Sequence, residues 1–425
     1  MSHAEKSKSP RRSRDKFMHY VVVILMMCTC CYCAAEQEPK LKDVFSQPSW
    51  VFSNDQVEVA LTQYGGMMAP VQFYKDSNSP VQPYYINPWH NENIKIDLSL
   101  LRVLRGDFFC FPFGGNAEPY QGEKHDPHGE TAGGMWHFKS LIKSGNVTSI
   151  NLEMNTTVRK GTVYKTVSIV DGQNVLYVQH KLEKYNGPMC FGHHATLYVP
   201  EAEGSVKVST STIKFGMTCP VLFSDPAKGE YQSLAIGKKF DDLRHVPLLW
   251  KEPAQADCTS FPARKGFTDL LGVFSVSSKK LESRPAWTVA VNTEDGYLWF
   301  SLKNPDMLPT TLFWISNHGR HGSPWNGRNR CLGLEDVCGF FAEGLAASAK
   351  PNLLQNQGIK TAIELSPDKP TVISYVEGVV RVPKSFVRVK TLEFTGGSKI
   401  VFIAENGERV STNVNYNYVY SGAVK

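Results

Sequence analysis

After its first thirty-five residues the chain alternates apolar and polar positions with a period of two, the spacing of a half-buried strand, and rarely repeats at helical spacing. Ser205–Phe215 sets Val206, Val208, Thr210, Thr212 and Lys214 on one face and Ser205, Lys207, Ser209, Ser211, Ile213 and Phe215 on the other. Val163–Val170, Val175–Leu182, Trp287–Asn292, Tyr297–Leu302 and Thr311–Ile315 are rich in β-branched and aromatic residues and predict further strands. The best helical stretch is short, Glu335–Ala347. Closely spaced strands with Gly, Pro, Asn and Asp turns between them predict an all-β chain, a large antiparallel sandwich or barrel. One domain is expected over residues 45–383, because β architectures of this kind exceed the usual domain length. A strand pair over Thr371–Val382 closes it at Pro383. Residues 384–425 then hold Phe386–Phe394, Lys399–Ala404 and Val410–Val419, separated by the hairpin turns Gly396-Gly397 and Asn406-Gly407. They predict a C-terminal β-meander packed on the main domain.

Residues 1–35 do not read as part of a fold. Lys6, Lys8, Arg11, Arg12, Arg14 and Lys16 precede an uncharged, mostly apolar stretch, Tyr20–Tyr32, and Ala34-Ala35 offer small residues for cleavage, the layout of a secretory signal. The apolar stretch is shorter than the ~20 residues of a spanning helix. Contact with a membrane is therefore expected only if the leader stays uncleaved or is lipidated near Cys28. The exported protein is expected in the periplasm or outside the cell. Without the leader, the chain's 46 basic and 40 acidic residues fall to 40 and 38, and the formal charge falls from +6 to +2. With no Lys/Arg run left to displace counterions, nucleic acid is excluded as a partner.

Six cysteines follow the leader, Cys110, Cys190, Cys219, Cys258, Cys331 and Cys338, and the sequence leaves open whether they form disulfides or buried free thiols. No Cys-x-x-Cys pair occurs among them, and the chain carries no Gly-x-Ser-x-Gly elbow, phosphate loop or dinucleotide fingerprint. No cofactor is implied. His125, His128 and Glu130, with His193 or His194, are the one set with spacing that could suggest a metal, but they sit in a Gly/Pro-rich loop and match no zinc signature, so no metal is expected.

Three separated stretches carry proton-transfer groups: Pro127-His128-Gly129, His193-His194-Ala195 and Leu334-Glu335-Asp336. Two imidazoles and a carboxylate brought together can move protons on and off sugar oxygens near neutral pH. Thr62-Gln63-Tyr64-Gly65-Gly66, Pro127-His128-Gly129 followed by Trp136, His194-Ala195-Thr196 and Gly333-Leu334-Glu335 occur in the order found in the galactose mutarotase-like (aldose 1-epimerase) superfamily, which the chain resembles over about Val51–Val382. Phe313-Trp314-Ile315-Ser316-Asn317-His318-Gly319-Arg320-His321 and Pro324-Trp325-Asn326-Gly327-Arg328 are similar to a segment of uncharacterised exported bacterial members. The resemblance implies a β-supersandwich that holds a monosaccharide or the end of a glycan. In it a histidine of a His-Gly motif contacts the sugar, a second histidine protonates the ring oxygen, and a glutamate takes the proton of the anomeric hydroxyl. By motif these roles fall on His128, His194 and Glu335.

The same resemblance makes Asn116 the best match for an Arg or Asn upstream of the His-Gly motif, and Asp241 or Asp242 the match for a sugar-binding aspartate. His193 and Thr196 replace the usual neighbours of the second histidine, and His193 is taken as a further sugar contact, as is Asn317. Trp136 and Trp325 either pack the core or stack on a sugar ring. Glu335 is either the catalytic base or a cap on the helix expected to start there. Arg320, Arg328 and Arg330 either grip an acidic sugar such as a uronate or pair with Asp336 or Glu335. The expected function is aldose anomer exchange by acid–base catalysis; a glycan-binding protein without turnover and an envelope scaffold are the alternatives.

Overall fold

The computed structural model describes residues 38–424, so the expected leader lies outside the described residues. Two large antiparallel sheets carry the fold. The seven-stranded sheet runs, edge to edge, Lys239–Phe240, Ile213–Thr218, Phe267–Ser275, Thr310–Asn317, Arg330–Cys338, Phe191–Tyr198 and Phe109–Cys110. The nine-stranded sheet runs Ser260–Phe261, Val206–Thr210, Ala286–Asn292, Tyr297–Lys303, Thr371–Arg381, Val175–Glu183, Gly161–Val170, Val147–Thr156 and His137–Ser144. A core that includes Phe109, Phe191, Phe313 and Leu334 of the first sheet and Val167, Val178, Trp299 and Tyr375 of the second joins them. The fold is all-β.

Burial explains which strands alternate and which do not. Val147–Thr156 lies near a sheet edge and alternates buried with half-buried residues. Ala286–Asn292, Tyr297–Lys303 and Thr310–Asn317 are buried at every position, because both of their faces are covered. On the nine-stranded sheet that second cover is a three-stranded meander, Val389–Thr395, Lys399–Ala404 and Arg409–Asn413, which turns at Gly396-Gly397 and Asn406-Gly407. Ile400, Phe402 and Ala404 pack with Leu298, Phe300, Val376 and Tyr177 in a second core. The last segment stops short of the expected Val419: after Asn413 the chain makes a helical turn, Tyr418–Ser421, that buries Tyr418 against Tyr177.

Three expectations need correction. The Ser205–Phe215 alternation is two strands, with Val206–Thr210 in the nine-stranded sheet and Ile213–Thr218 in the seven-stranded one. The chain changes layers at Ser211, whose backbone N–H donates to the Trp287 carbonyl and whose hydroxyl accepts from Trp287 N–H, so the corner is hydrogen-bonded on both sides. Thr371–Val382 is not a strand pair but one long strand, Thr371–Arg381, central to its sheet. Glu335–Ala347 is not a helix. Arg330–Cys338 is a strand buried on both faces, and helix appears only as the single turn Leu345–Ala349. Gly339 and Gly344 interrupt the stretch, and Gly344 has φ +89°, outside the helical region. The six cysteines are all buried and unpaired. Among the described residues no helix is long and apolar enough to cross a membrane.

Phe402 is fully buried, with its ring 5.3 Å from that of Phe300. If the meander is an integral cover, Phe402→Ala should lower unfolding free energy by about 3–5 kcal/mol in urea titration. A loss below about 1 kcal/mol, the range of a surface substitution, would show that the meander contributes little to the sheet beneath it.

Candidate active site

Successive residues of a strand point to opposite faces, so His193 and His194 cannot serve the same side of Phe191–Tyr198. The neighbouring strand is in register with them: His194 lies opposite Glu335, and His193 opposite Asp336. One cross-strand dipeptide pair thus builds two imidazole–carboxylate contacts, back to back through the sheet.

On one face, His194 Nε2 lies 3.1 Å from Glu335 Oε1, and His194 Nδ1 is 3.0 Å from the Thr196 hydroxyl. The imidazole stacks on Phe108 at 4.7 Å and meets the edge of Trp314 at 5.7 Å. The His128 ring stands edge-on to it at 5.3 Å. The three residues expected to carry the chemistry therefore converge. Gly333, two positions before Glu335 on the same face, makes the room: a Cβ there would fall 2.6 Å from Glu335 Oε1 and 3.0 Å from the Trp314 Cβ.

His128 reaches this place from a loop, with φ +61°. Its N–H donates to the Gly114 carbonyl, and the Phe111 N–H donates to its own carbonyl. Asn116 holds the same loop: its amide donates to the carbonyls of Pro112, Gly114 and Asp126, and its oxygen accepts from Leu345 N–H. With donors and acceptor spent on backbone, Asn116 braces the His128 loop and is not presented to a ligand. Gly129 follows with φ +74° and lies so close to Phe111 that a Cβ would clash with that backbone.

Burial sets the protonation of the pair. Glu335 is 3% exposed and His194 5%. Burial pushes the Glu335 carboxyl up to about 8, although the charge of His193 pulls the other way. Burial pushes His194 well below the usual imidazole range, helped by His128 and His193. His128, driven by burial, is pushed down to about 4, and its Nδ1 is buried without a partner. At neutral pH the proton of the pair therefore rests on Glu335, beside a neutral His194 whose Nε2 can accept it.

The remaining expected contacts are spread over the molecule. His193 is 1% exposed and points between the sheets, so it is not a sugar contact. Trp136 is wholly buried and donates to the Thr131 carbonyl, a core residue. Trp325 is half-buried and stands edge-on to Trp89 at 4.8 Å and Trp314 at 5.8 Å, which extends the aromatic wall beside His194. Asn317 donates to the Ala263 carbonyl and lines a separate groove of about 510 Å³ with Arg264, Lys265, His318 and Arg330. Asp241 and Asp242 are exposed, and Asp242 accepts from Arg244 N–H in a turn.

The arginines have partners other than those expected. Arg320 pairs with Glu230 at 2.9 Å, Arg328 grips both oxygens of Glu92, and Arg330 pairs with Glu201 at 2.9 Å. None pairs with Glu335 or Asp336. The close-spaced set around His125 also disperses: His125 contacts Glu123 at 3.0 Å, and Glu130 accepts from the backbone of Thr157 and Val158. Phe108, Trp314 and Trp89 were missed as site residues. Trp314 carried a legible signal, because on a strand its parity places it opposite Gly333 and on the Glu335 face. Phe108 and Trp89 come from loops and carried none.

The raised Glu335 has a consequence for stability. Its ordinary value is 4.5, so between there and about 8 the unfolded chain has released a proton that the folded chain keeps. Stability supplied by this group is full at low pH and falls as pH rises through that window. Glu335→Gln removes the effect. Its melting temperature relative to the parent should increase from pH 4.5 to pH 8.5, and a pH-independent difference would show that Glu335 ionises freely in the fold.

No protein-family profile and no curated protein matches the chain. Solved structures do. A galactose mutarotase-like protein from Clostridium acetobutylicum aligns over 81% of this chain and 98% of its own, with TM-score 0.53 and 11% identity. A protein of Escherichia coli K12, provisionally assigned as an aldose 1-epimerase, aligns over 79% of this chain and 100% of its own, with TM-score 0.50 and 13% identity. A protein of Klebsiella pneumoniae with the same provisional assignment aligns over 79% of both chains, with TM-score 0.50 and 14% identity. At such identities the likeness is one of architecture, and the chain has the galactose mutarotase-like β-sandwich fold.

Proposed function

We propose that this protein binds an aldose and exchanges its α and β anomers by acid–base catalysis, with Glu335 and His194 as the proton-transfer pair and His128 beside them on the sugar. The observation that carries the proposal is the 3.1 Å contact between His194 Nε2 and Glu335 Oε1, with His128 5.3 Å from the same imidazole. The structural neighbours described as mutarotase-like or as aldose 1-epimerases support the substrate class.

Anomer exchange requires one proton to leave the anomeric hydroxyl while another reaches the ring oxygen. The C1–ring-oxygen bond then breaks to give the open-chain carbonyl, and rotation about the C1–C2 bond followed by the reverse transfers closes the other anomer. In the resting pair Glu335 holds a proton and the His194 Nε2 lone pair faces it, so once a sugar oxygen engages each, one delivers as the other accepts. The pair passes from neutral to ion pair and back with no net gain or loss of protons. The resting roles are thus the reverse of those the resemblance implies, and a reversible isomerisation uses both directions. Trp314 and the half-buried Trp325 offer apolar faces to the sugar. A neutral aldose fits better than a uronate, because Arg320, Arg328 and Arg330 already face carboxylates.

One observation favours a second reading, glycan binding without turnover: Glu335 and His194 are almost fully covered. Saturation-transfer NMR on a panel of neutral and acidic aldoses separates the two. Catalysis predicts exchange for at least one neutral sugar, lost by about 100-fold or more in Glu335→Gln with sugar binding retained. Binding of several sugars with exchange at the uncatalysed rate would leave only the binding reading. The rate should also fall above about pH 8, as Glu335 loses the proton it must deliver. A rate that keeps climbing through pH 9 would remove Glu335 from the acid role.

A further inference from the structure

Behind the His194–Glu335 pair, on the inner face of the same two strands, lies a second cluster sealed between the sheets. His193 Nδ1 is 2.9 Å from Asp107 Oδ1 and 3.6 Å from Glu377 Oε1, and His193 Nε2 is 3.3 Å from Asp336 Oδ2. The imidazole lies flat on Tyr375, centroids 3.7 Å apart and planes within 2°. Asp336 is held in turn by Lys303 at 2.8 Å, by Thr311 at 2.6 Å and by Ser301 at 2.8 Å. Asp107 accepts from the Tyr375 hydroxyl at 2.7 Å, and Glu377 from the Tyr84 hydroxyl at 2.6 Å. Every one of these side chains is 3% exposed or less.

Asp107, His193 and Glu377 bring ligating atoms within 4.8 Å of one another, a spacing that a metal ion could use. An imidazolium fits the same contacts: Asp107 lies at Nδ1 and Asp336 at Nε2, and with a proton on each ring nitrogen there is no lone pair to give a metal. Burial alone would depress His193, but Asp107 and Asp336 outweigh it and hold the imidazole up to about 10. Asp336 is held well below the usual carboxylate range despite its burial, by Lys303 and His193. Glu377 goes the other way, raised well above the usual carboxylate range by burial and then by Asp107. Lys165 and His180, on the strands beyond, complete the titratable groups around His193, while His128, Cys110 and Cys331 face the outer pair.

Resting on the catalytic reading of the outer pair, we propose that the inner His193–Asp336 pair is a positioning unit for it: a fixed imidazolium directly behind His194 and Glu335 that sets how readily each of them holds a proton. The two pairs share a backbone, peptide to peptide, so the inner contact fixes both the register and the local charge of the outer one. Since the imidazolium is buried, solvent screens its field weakly, and the charges that offset it are those of its own partners, Asp107 and Asp336. A positive charge there stabilises ionised Glu335 and opposes protonation of His194, so it lowers the hold of both groups on a proton: Glu335 becomes the readier donor and His194 the weaker base.

The test is NMR titration of the full chain with carboxyl-¹³C glutamate and ¹⁵N histidine, alongside the pH profile of anomer exchange. In the parent, His193 should show the doubly protonated signature at pH 8; a neutral tautomer there overturns the proposal without any variant. In His193→Gln, which keeps size and hydrogen bonding but not charge, the Glu335 titration should move up by about one pH unit, and the alkaline limb of the rate profile should move with it. A folded variant with reduced rate and an unmoved titration would show a structural role only and would also overturn it. The carboxyl titration is read without sugar. Absence of exchange on every sugar would therefore refute the proposed activity and leave this result standing on its own.

Discussion

The register between Phe191–Tyr198 and Arg330–Cys338 is the constraint on which the rest depends. A slip of Arg330–Cys338 by one residue would exchange the faces of its two carboxylates, placing Asp336 among the aromatic loops and Glu335 between the sheets. Both arrangements would bury unpaired charge. The register is held by the apolar residues around the quartet: Leu332, Leu334 and Val337 are wholly buried, and Gly192 packs so closely on Asp336 and Val337 that a Cβ would lie 2.6 Å from the Asp336 carbonyl oxygen. Packing fixes the pairing, and the pairing fixes the chemistry.

The two faces treat the same residue types in opposite ways. Outside, His194 and Glu335 have few polar partners and aromatic neighbours in Phe108 and Trp314, so burial outweighs the opposing pull of His193 on Glu335 and the pair rests neutral. Inside, each charge meets a hydrogen-bonded counter-charge, so His193 and Asp336 stay ionised despite equal burial. A buried ion pair contributes little net stability when its desolvation is counted, and the inner cluster is weak ground for explaining why the fold holds. Its clearest effect is to forbid other registers and to keep a charge of fixed sign behind the outer pair.

Much of this was legible in the residues, and the failures share a cause. The strands Gly161–Val170, Val175–Glu183, Ala286–Asn292, Tyr297–Lys303 and Thr310–Asn317 showed through β-branched and aromatic content, which survives whether one face or both are buried. Arg330–Cys338 did not. Buried on both faces, it lost its alternation, and its apolar positions together with the small residues after it imitated a helix. That error hid the parity of Glu335 and Asp336, and Phe191–Tyr198, not read as a strand, hid the fact that only one of His193 and His194 can face outward. Glu377 carried a signal that went unused: an acid inside Thr371–Arg381, otherwise nearly all apolar, is explicable only by a buried partner. The partners of Arg320, Arg328 and Arg330 were beyond reach, because Glu230, Glu92 and Glu201 come from remote loops.

Those arginine pairs explain why the aromatic wall stays in place although it is made from loops. Arg328 and Trp325 belong to one loop, Glu92 and Trp89 to another, and the fork of Arg328 on Glu92 ties the two together where the tryptophans meet. An exposed ion pair contributes only about 0–1 kcal/mol to stability, so its value here is geometric. It restricts where Trp325 can stand relative to Trp314 and, through Trp314, to His194. The His128 side is held without charge, by the four hydrogen bonds of Asn116. Three loops are thus fastened beside the strand pair, and a proton-transfer site that needs its groups held within fractions of an ångström obtains that precision from the sheet and not from the loops that cover it.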